Sequence, residues 1–379
     1  MYDKIIDFIR EEQGGAKIIP LHEPRFTGDE IGVLRDCIES GFVSSVGEYV
    51  EKFEKAIAKF CGAKFAVATV NGTAALHTAL KIAGVEPKDE VLTQSLTFVA
   101  TANAISYTGA SPVFIDVDKD SLGLSPEKLE NFLRKDSKLK KDGTFNKRTG
   151  RRIRACVPMH TFGHPCRIDE IAGICRKYKI IMIEDAAESL GSLYRNKHTG
   201  TFGKAGILSF NGNKIITTGG GGMIITNDAI FAKRAKHITT TAKLPHKWDY
   251  IHDEIGYNYR LPNINSAIGY AQVKKLKGFL AKKRLLAERY AKFFKSAGIP
   301  FISEPKNACS NYWLNSILFE NRSKRNSFLE FAHSRGILVR PAWRLMSELD
   351  MFKSYQCGNL ENTKWLEERI VNLPSSVPK

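Results

Sequence analysis

The chain reads as an α/β protein: a mainly parallel sheet with helices on both faces, followed by a smaller α+β unit. Three observations predict this. From about Gly28 to Ala271 helical and strand patterns alternate, as repeated βα units do. After Pro262 the alternation stops and a long lysine-rich helical stretch begins. The 379 residues, 43% of them hydrophobic and 26% charged, suffice for one large core and a second, smaller one. The expected division falls at residues 1–262 and 263–379.

The elements follow from period and punctuation. The opening segment, MYDKIIDFIREEQGG, is charged throughout and lacks the apolar stretch of a signal peptide. It sets Ile5, Ile6 and Ile9 on one helical face. Asp29 to Ser40 is helical in pattern. So is Glu48 to Phe60, where Val50, Phe53, Ala56 and Phe60 step by three or four. Strands are expected at Phe65–Val70, Glu90–Thr93, Pro112–Val117, Arg154–Met159 and Ile180–Asp185. Helices are expected at Gly72–Ala83, Phe98–Tyr107 and Ile168–Tyr178. Beyond Pro262 come a long helix from Asn265 to Ala297, broken near Gly278, a strand from Trp313 to Phe319 and a helix from Arg325 to Arg335. The run Gly336–Pro341 completes the small unit.

Composition narrows the classes of function. No apolar run approaches the roughly 20 residues of a membrane span. Seven scattered cysteines (Cys37, Cys61, Cys156, Cys166, Cys175, Cys309, Cys357) make neither a metal nor a disulfide framework, so reduced thiols in a cytoplasmic protein are expected. The net charge of +17 is uneven. Arg134 to Arg154 holds ten basic residues against Asp136 and Asp142. Within it, Gly143–Gly150 reads as a polar turn between two short strands. Charge runs of this kind usually coat solvated loops. The rival reading is attraction of an anionic substrate such as a nucleotide diphosphate, or of nucleic acid. No zinc-finger, RRM or helix-turn-helix signature accompanies the charge, so no nucleic-acid partner is expected.

The chemistry concentrates in the run Ser209-Phe-Asn-Gly-Asn-Lys214-Ile-Ile-Thr-Thr-Gly219-Gly-Gly-Gly222. One lysine lies between a polar turn and four glycines, which permit close backbone approach to a ligand or mark a plain hairpin. Twenty-nine residues earlier, Asp185 ends a continuous apolar run, at the crevice end of a buried strand. A lysine and a carboxylate on strand ends are what pyridoxal phosphate (PLP) requires: an amine for the aldehyde and an anion for the pyridine nitrogen. Asp185 also suits the N-cap of a helix starting at Ala186. Asn71-Gly72-Thr73 joins a strand to a helix, either as a phosphate-binding helix start or as an ordinary cap. Phe98 stands at the next helix start, to cover an aromatic ring or to join the core. His160 and His164 lack the carboxylate or cysteine set that would complete a metal site, so none is expected. Asn258 and Arg260, in a polar loop, suit an anion.

In this order, Phe42–Gly47, Asn71–Leu76, Thr97–Thr101, Glu184–Ala187, Ser209–Gly222 and Gly256–Gln272 resemble the signatures of the DegT/DnrJ/EryC1/StrS sugar aminotransferases, over nearly the whole chain. The resemblance implies the PLP-dependent transferase fold type I: a mainly parallel seven-stranded sheet sandwiched by helices, plus a small C-terminal α+β domain. It implies Lys214 as Schiff-base lysine and proton shuttle, Asp185 on the pyridine nitrogen and Phe98 on the ring. Gly72, Thr73 and Ser209 hold the phosphate, and Glu188 lies beside the cofactor O3′, where the family often has Gln or His. Gly220 stands where the family often has an acid. Asn258 reaches a phosphate across a homodimer interface, with Arg260 nearby, so that two subunits share each site. The segment Arg151–Pro165, with His160, and Val339–Trp343 resemble a narrower branch, the legionaminic-acid and bacillosamine type. Arg260, His160 and Trp343 are expected to face the substrate.

The function so implied is transfer of an amino group from L-glutamate, through PLP and its pyridoxamine form, to C4 of a UDP- or GDP-linked 4-keto-6-deoxy-N-acetylhexosamine for surface-glycan sugars. Two rivals use the same scaffold. A PLP-dependent sugar dehydratase would release a deoxygenated sugar, and the presence of Lys214 argues against the variant lacking that lysine. A non-catalytic regulator would bind DNA in a salt-sensitive way.

Overall fold

The computed structural model describes residues 1–378. Eleven strands build the larger part: β1 (Phe65–Thr69), β2 (Glu90–Gln94), β3 (Ser111–Ile115), β4 (Ser137–Lys140), β5 (Gly143–Asn146), β6 (Arg152–Val157), β7 (Ile181–Asp185), β8 (Leu193–Tyr194), β9 (Lys197–His198), β10 (Ala205–Ser209) and β11 (Gly222–Thr226). Seven form one continuous path in the order β1-β11-β10-β7-β6-β2-β3. Only β11 runs against its neighbours; β10, β7, β6, β2 and β3 are parallel. The hairpin β4–β5 adds to β6 and brings the sheet to nine strands.

Because β1 and β10 both pair antiparallel with β11, the C-terminal ends of β1, β2, β6, β7 and β10 share one edge. Ligands bind at that edge in open α/β sheets. The strands are buried on both faces, as parallel strands covered by helices must be.

Most expected elements are present, with instructive departures. In the Glu48–Cys61 helix the buried stripe is Tyr49, Phe53, Ile57 and Cys61, while Val50 and Phe60 flank it. The helix at Pro126–Asp136 was not expected, although Ser125 caps it and Pro126 opens it. Gly143–Asn146 is itself strand β5, paired with β4 on one side and β6 on the other, and not part of a turn. No helix follows Asp185: residues 186–192 form turns, so the N-cap reading of Asp185 falls away.

After Pro262 the single long helix is two, Asn263–Val273 and Leu276–Ser296. The break lies at Lys274–Lys275, where the Lys275 N–H bonds the Gln272 carbonyl three residues back at 3.0 Å. Gly278 stays inside the second helix, facing open space. The small sheet pairs β13 (Asn315–Leu318) and β14 (Arg340–Pro341) with β15 (Ile370–Leu373), and β12 (Ala308–Cys309) joins β8. Two segments pack across the expected boundary at 262. Ile5, Ile6 and Ile9 enter the core of Tyr290, Phe294 and Phe328, and the Asn263–Val273 helix lies on Glu48–Cys61 and Asp29–Glu39. Among the described residues no helix is long and apolar enough to cross a membrane.

Candidate active site

The shared strand edge opens on a cavity of about 310 Å³. Its walls include Gly72 and Thr73 after β1, Phe98 and Thr101 after β2, Met159 after β6, Asp185 and Glu188 after β7, Ser209 and Lys214 after β10, and Trp313 and Trp343 from the C-terminal part. Each parallel strand delivers its next few residues to one place, which is why groups so distant in sequence meet.

The helix start at Gly72 is built for an anion. The Asn71 side chain caps the Ala74 N–H at 2.8 Å and leaves the N–H groups of Gly72 and Thr73 for a ligand. A Cβ at Gly72 would stand 3.3 Å from Ser209 Cβ, so glycine lets the helix approach the β10 end closely. Gly222 plays a stricter part. A Cβ there would fall 2.3 Å from the Asn71 backbone, so β11 seats against this turn only because residue 222 has no side chain.

Asp185 is buried beneath the cavity, its Oδ2 accepting from Thr101 Oγ1 at 2.7 Å and its Oδ1 from the Ala187 N–H at 3.2 Å. Thr97 Oγ1 stands 2.9 Å behind Thr101 Oγ1. Burial raises the Asp185 pKa above the ordinary carboxylate value, against the opposing pull of Thr101, the Ala187 N–H and Lys214. A carboxylate in that position gains from a cationic partner in the cavity.

The Lys214 amine lies 3.4 Å from Glu188 Oε1 and 3.8 Å from the centre of the Trp313 ring. Glu188 Oε2 accepts the Phe162 N–H at 2.9 Å. Burial pushes the Glu188 carboxyl up to about 7, although Lys214 and the Phe162 N–H hold it down. Phe98, 48% exposed, leans its ring toward Trp343 at 6.1 Å, and Trp343 rests on Phe162 at 4.8 Å.

These residues fit PLP. The helix start with Thr73 and Ser209 could hold its phosphate, Lys214 its aldehyde, Asp185 its ring nitrogen and Phe98 its ring face. Three expected residues are placed elsewhere. His160 is fully buried and absent from the cavity wall. Its Nδ1 accepts the Cys166 N–H at 3.3 Å and its Nε2 faces Glu184 at 3.2 Å, while Glu184 also accepts the N–H groups of Gly200, Phe202 and Gly203. The expectation that His160 faces substrate is therefore corrected: it ties the segment after β6 to Glu184 on β7, and Glu184 in turn holds the loop before β10. Asn258 is exposed and accepts from Arg260 at 3.3 Å, and neither of these two lines the cavity of its own chain.

Thr101 and Trp313 are among the wall residues that were missed. Thr101 lies one helical turn after Thr97, a spacing that places both hydroxyls on one face. Trp313 gave no local signal. It reaches the site only because the C-terminal part docks there, its Nε1–H donating to the Asn213 carbonyl at 2.8 Å, a hundred residues away in sequence.

A sheet of this order, with a lysine and a buried carboxylate at its crevice edge, has the form of a PLP-dependent transferase. Comparison with known proteins gives the family. Residues 24–378 match the DegT/DnrJ/EryC1/StrS aminotransferase family, and the chain belongs to it. It is 36% identical over 361 residues to the GDP-perosamine synthase of Escherichia coli O157:H7, covering 95% of this chain and 93% of that one. To the GDP-perosamine synthase of Vibrio cholerae it is 34% identical over 365 residues, covering 94% of each. The fold superimposes on Helicobacter pylori PseC, an aminotransferase involved in the biosynthesis of pseudoaminic acid, with a TM-score of 0.85, 26% identity and 94% of each chain covered. The protein is thus a PLP-dependent aminotransferase of a sugar aminotransferase family.

Proposed function

We propose that the protein moves an amino group from L-glutamate to the C4 ketone of a nucleotide-linked 4-keto-6-deoxy-N-acetylhexosamine, for surface-glycan amino sugars. One observation carries the reading: Lys214, Asp185, Glu188 and the open helix start at Gly72 and Thr73 meet in a single cavity. PLP, when bound, supplies an aldehyde that carries the amino group and a ring that draws the electron pair released at the substrate carbon. Lys214 anchors it and moves the proton at the sugar C4. Asp185, held by Thr101 and the Ala187 N–H, keeps the pyridine nitrogen protonated. Thr73, Ser209 and the two N–H groups orient the phosphate, and Phe98 and Trp343 exclude water from one side.

The site is completed by a second subunit. Asn258 and Arg260 are absent from the wall of their own cavity, which supports their reaching that of a partner. Net charge of +17 favours capture of an anionic sugar nucleotide.

A second reading concerns the sugar. The relatives named GDP-perosamine synthase favour a GDP-linked substrate without the acetamido group. Purified protein with PLP, L-glutamate and a panel of UDP- and GDP-linked 4-keto sugars, followed by mass spectrometry and NMR, separates these outcomes. An aminated acetamido sugar supports the first, and an aminated GDP-hexose the second. A deoxygenated sugar without new nitrogen ends both in favour of a dehydratase.

A further inference from the structure

Behind the Trp313 wall of the cavity lies an amine that this chemistry does not use. Lys283, in the Leu276–Ser296 helix, is 0% exposed. Its ammonium donates to His22 Nε2 at 3.0 Å, to the Trp313 carbonyl at 3.2 Å and to the Ser375 carbonyl. Three donors thus meet three acceptors, from the N-terminal segment, the stretch before β13 and the C-terminal tail. Among the described residues no carboxylate pairs with it; burial alone lowers its pKa, to about 7. Burial also holds His22 well below the ordinary imidazole value, with Lys283 and Lys214 as the nearby positive charges. An apolar side chain of similar length would fill this space without the cost of burying an amine.

What the amine holds is the far end of a short mechanical chain. The Trp313 carbonyl belongs to Lys283. The Trp313 N–H is fixed by Asn311 Oδ1 at 2.8 Å, and its indole N–H by the Asn213 carbonyl at 2.8 Å. Its ring face lies 3.8 Å from the Lys214 amine. We propose that Lys283 is a positioning residue for Lys214: by holding the Trp313 backbone it fixes the indole that seats the site amine and ties down the residue beside it. A ring displaced by about 1 Å misplaces that amine, and displacements of this size cost up to about a hundredfold in rate.

The proposal rests on Lys214 as the cofactor lysine. Borohydride reduction of the wild-type holoenzyme, followed by peptide mapping, tests that reading separately. The test of Lys283 compares PLP-loaded wild type, Lys283→Met, Trp313→Leu and the double variant. Three quantities are read: the single-turnover rate with glutamate, its half-saturating concentration, and the induced circular dichroism of the bound cofactor. Lys283→Met is expected to slow the reaction at least about tenfold and to change the dichroism, with half-saturation held within about twofold. In the Trp313→Leu background the same replacement changes the rate by less than about twofold, because its route is already cut. His22→Leu, which removes one acceptor, should slow the reaction less and also lose its effect in that background; it decides the matter if Lys283→Met does not fold. A folded Lys283→Met protein with unchanged rate and dichroism overturns the proposal, whatever its melting temperature. So does an effect that multiplies in full with Trp313→Leu. If His22→Leu stands in, an unchanged rate and dichroism overturn it equally.

Discussion

Glu188 and Lys214 face each other at the floor of the cavity, carboxylate oxygen to amine at 3.4 Å, with only 2% and 13% of their side chains exposed. Their pairing offsets part of the cost of burying Glu188, and not all of it: the carboxyl remains raised from 4.5 to about 7. A raised carboxyl binds its proton more tightly in the folded chain than in the unfolded one. Its contribution is therefore fully present below about pH 4.5 and is lost as pH rises through about 7. Urea titrations of the cofactor-free protein should show stability falling across this window. Glu188→Gln should flatten that fall by about 2 kcal/mol between pH 5 and 7.5. An unchanged pH profile in the variant removes Glu188 as its source.

Lys214→Ala should lower the glutamate half-reaction by on the order of ten-thousandfold while the melting temperature moves by only a few degrees. The lysine side chain is largely buried but lies at a cavity wall, so its loss leaves no void in the core. Stopped-flow absorbance of the cofactor gives the rate. A variant within about tenfold of wild type would remove Lys214 from the chemistry.

Thr101→Val tests the setting of Asp185. The hydroxyl supplies one of two hydrogen bonds to the carboxylate, at 2.7 Å, and valine keeps the volume while deleting the donor. Leaving a buried anion short of one donor costs about 1–3 kcal/mol, so the rate should fall about tenfold or somewhat more. Spectrophotometric titration of the bound cofactor should shift with it. A rate equal to wild type would show that the Ala187 N–H alone holds the carboxylate.

The sheet and its crevice were legible because they rest on local patterns. Apolar runs such as Ile180–Ile183 and turn residues such as Asn71-Gly72 carry their own signals, and the shared strand edge follows from the alternation of helix and strand. Asp185 was legible for the same reason, as a polar residue closing an apolar strand, and Lys214 through its place between a polar turn and four glycines. Trp313 was not, since its role is set by how the C-terminal part docks, and no periodicity encodes a docking contact. His160 misled for the opposite cause. It follows an apolar strand as a site residue does, yet Glu184 on the next strand takes it into the interior. The burial of Lys283 was invisible because its sequence neighbours Lys282 and Arg284 give the helix a solvated look.

Gly222→Ala should damage cofactor affinity through the backbone. The new methyl would meet Asn71 at 2.3 Å, so β11 and the Gly72 turn must part. Overpacking of this kind costs about 1–3 kcal/mol of stability. It also moves the Gly72 and Thr73 N–H groups proposed to hold the phosphate. The expected result is a PLP dissociation constant at least about tenfold higher, read by fluorescence titration. Equal affinity with lower stability would separate the turn from phosphate binding.

The proposed sharing of each site by two subunits makes one further outcome quantitative. Asn258 and Arg260 are bonded to each other at 3.3 Å and line no part of their own cavity. If they act across a twofold interface, Asn258→Ala/Arg260→Ala and Lys214→Ala each inactivate every site in their own homodimer. In a mixed dimer the two defects fall together on one site and leave the other intact. Equal amounts of the two inactive variants, dissociated and reassembled at random, should then recover about a quarter of wild-type activity, half the dimers each carrying one working site. Native mass spectrometry, with one variant isotopically labelled, checks that mixed dimers have formed. Exchange without recovered activity would mean that both groups serve the subunit that carries them.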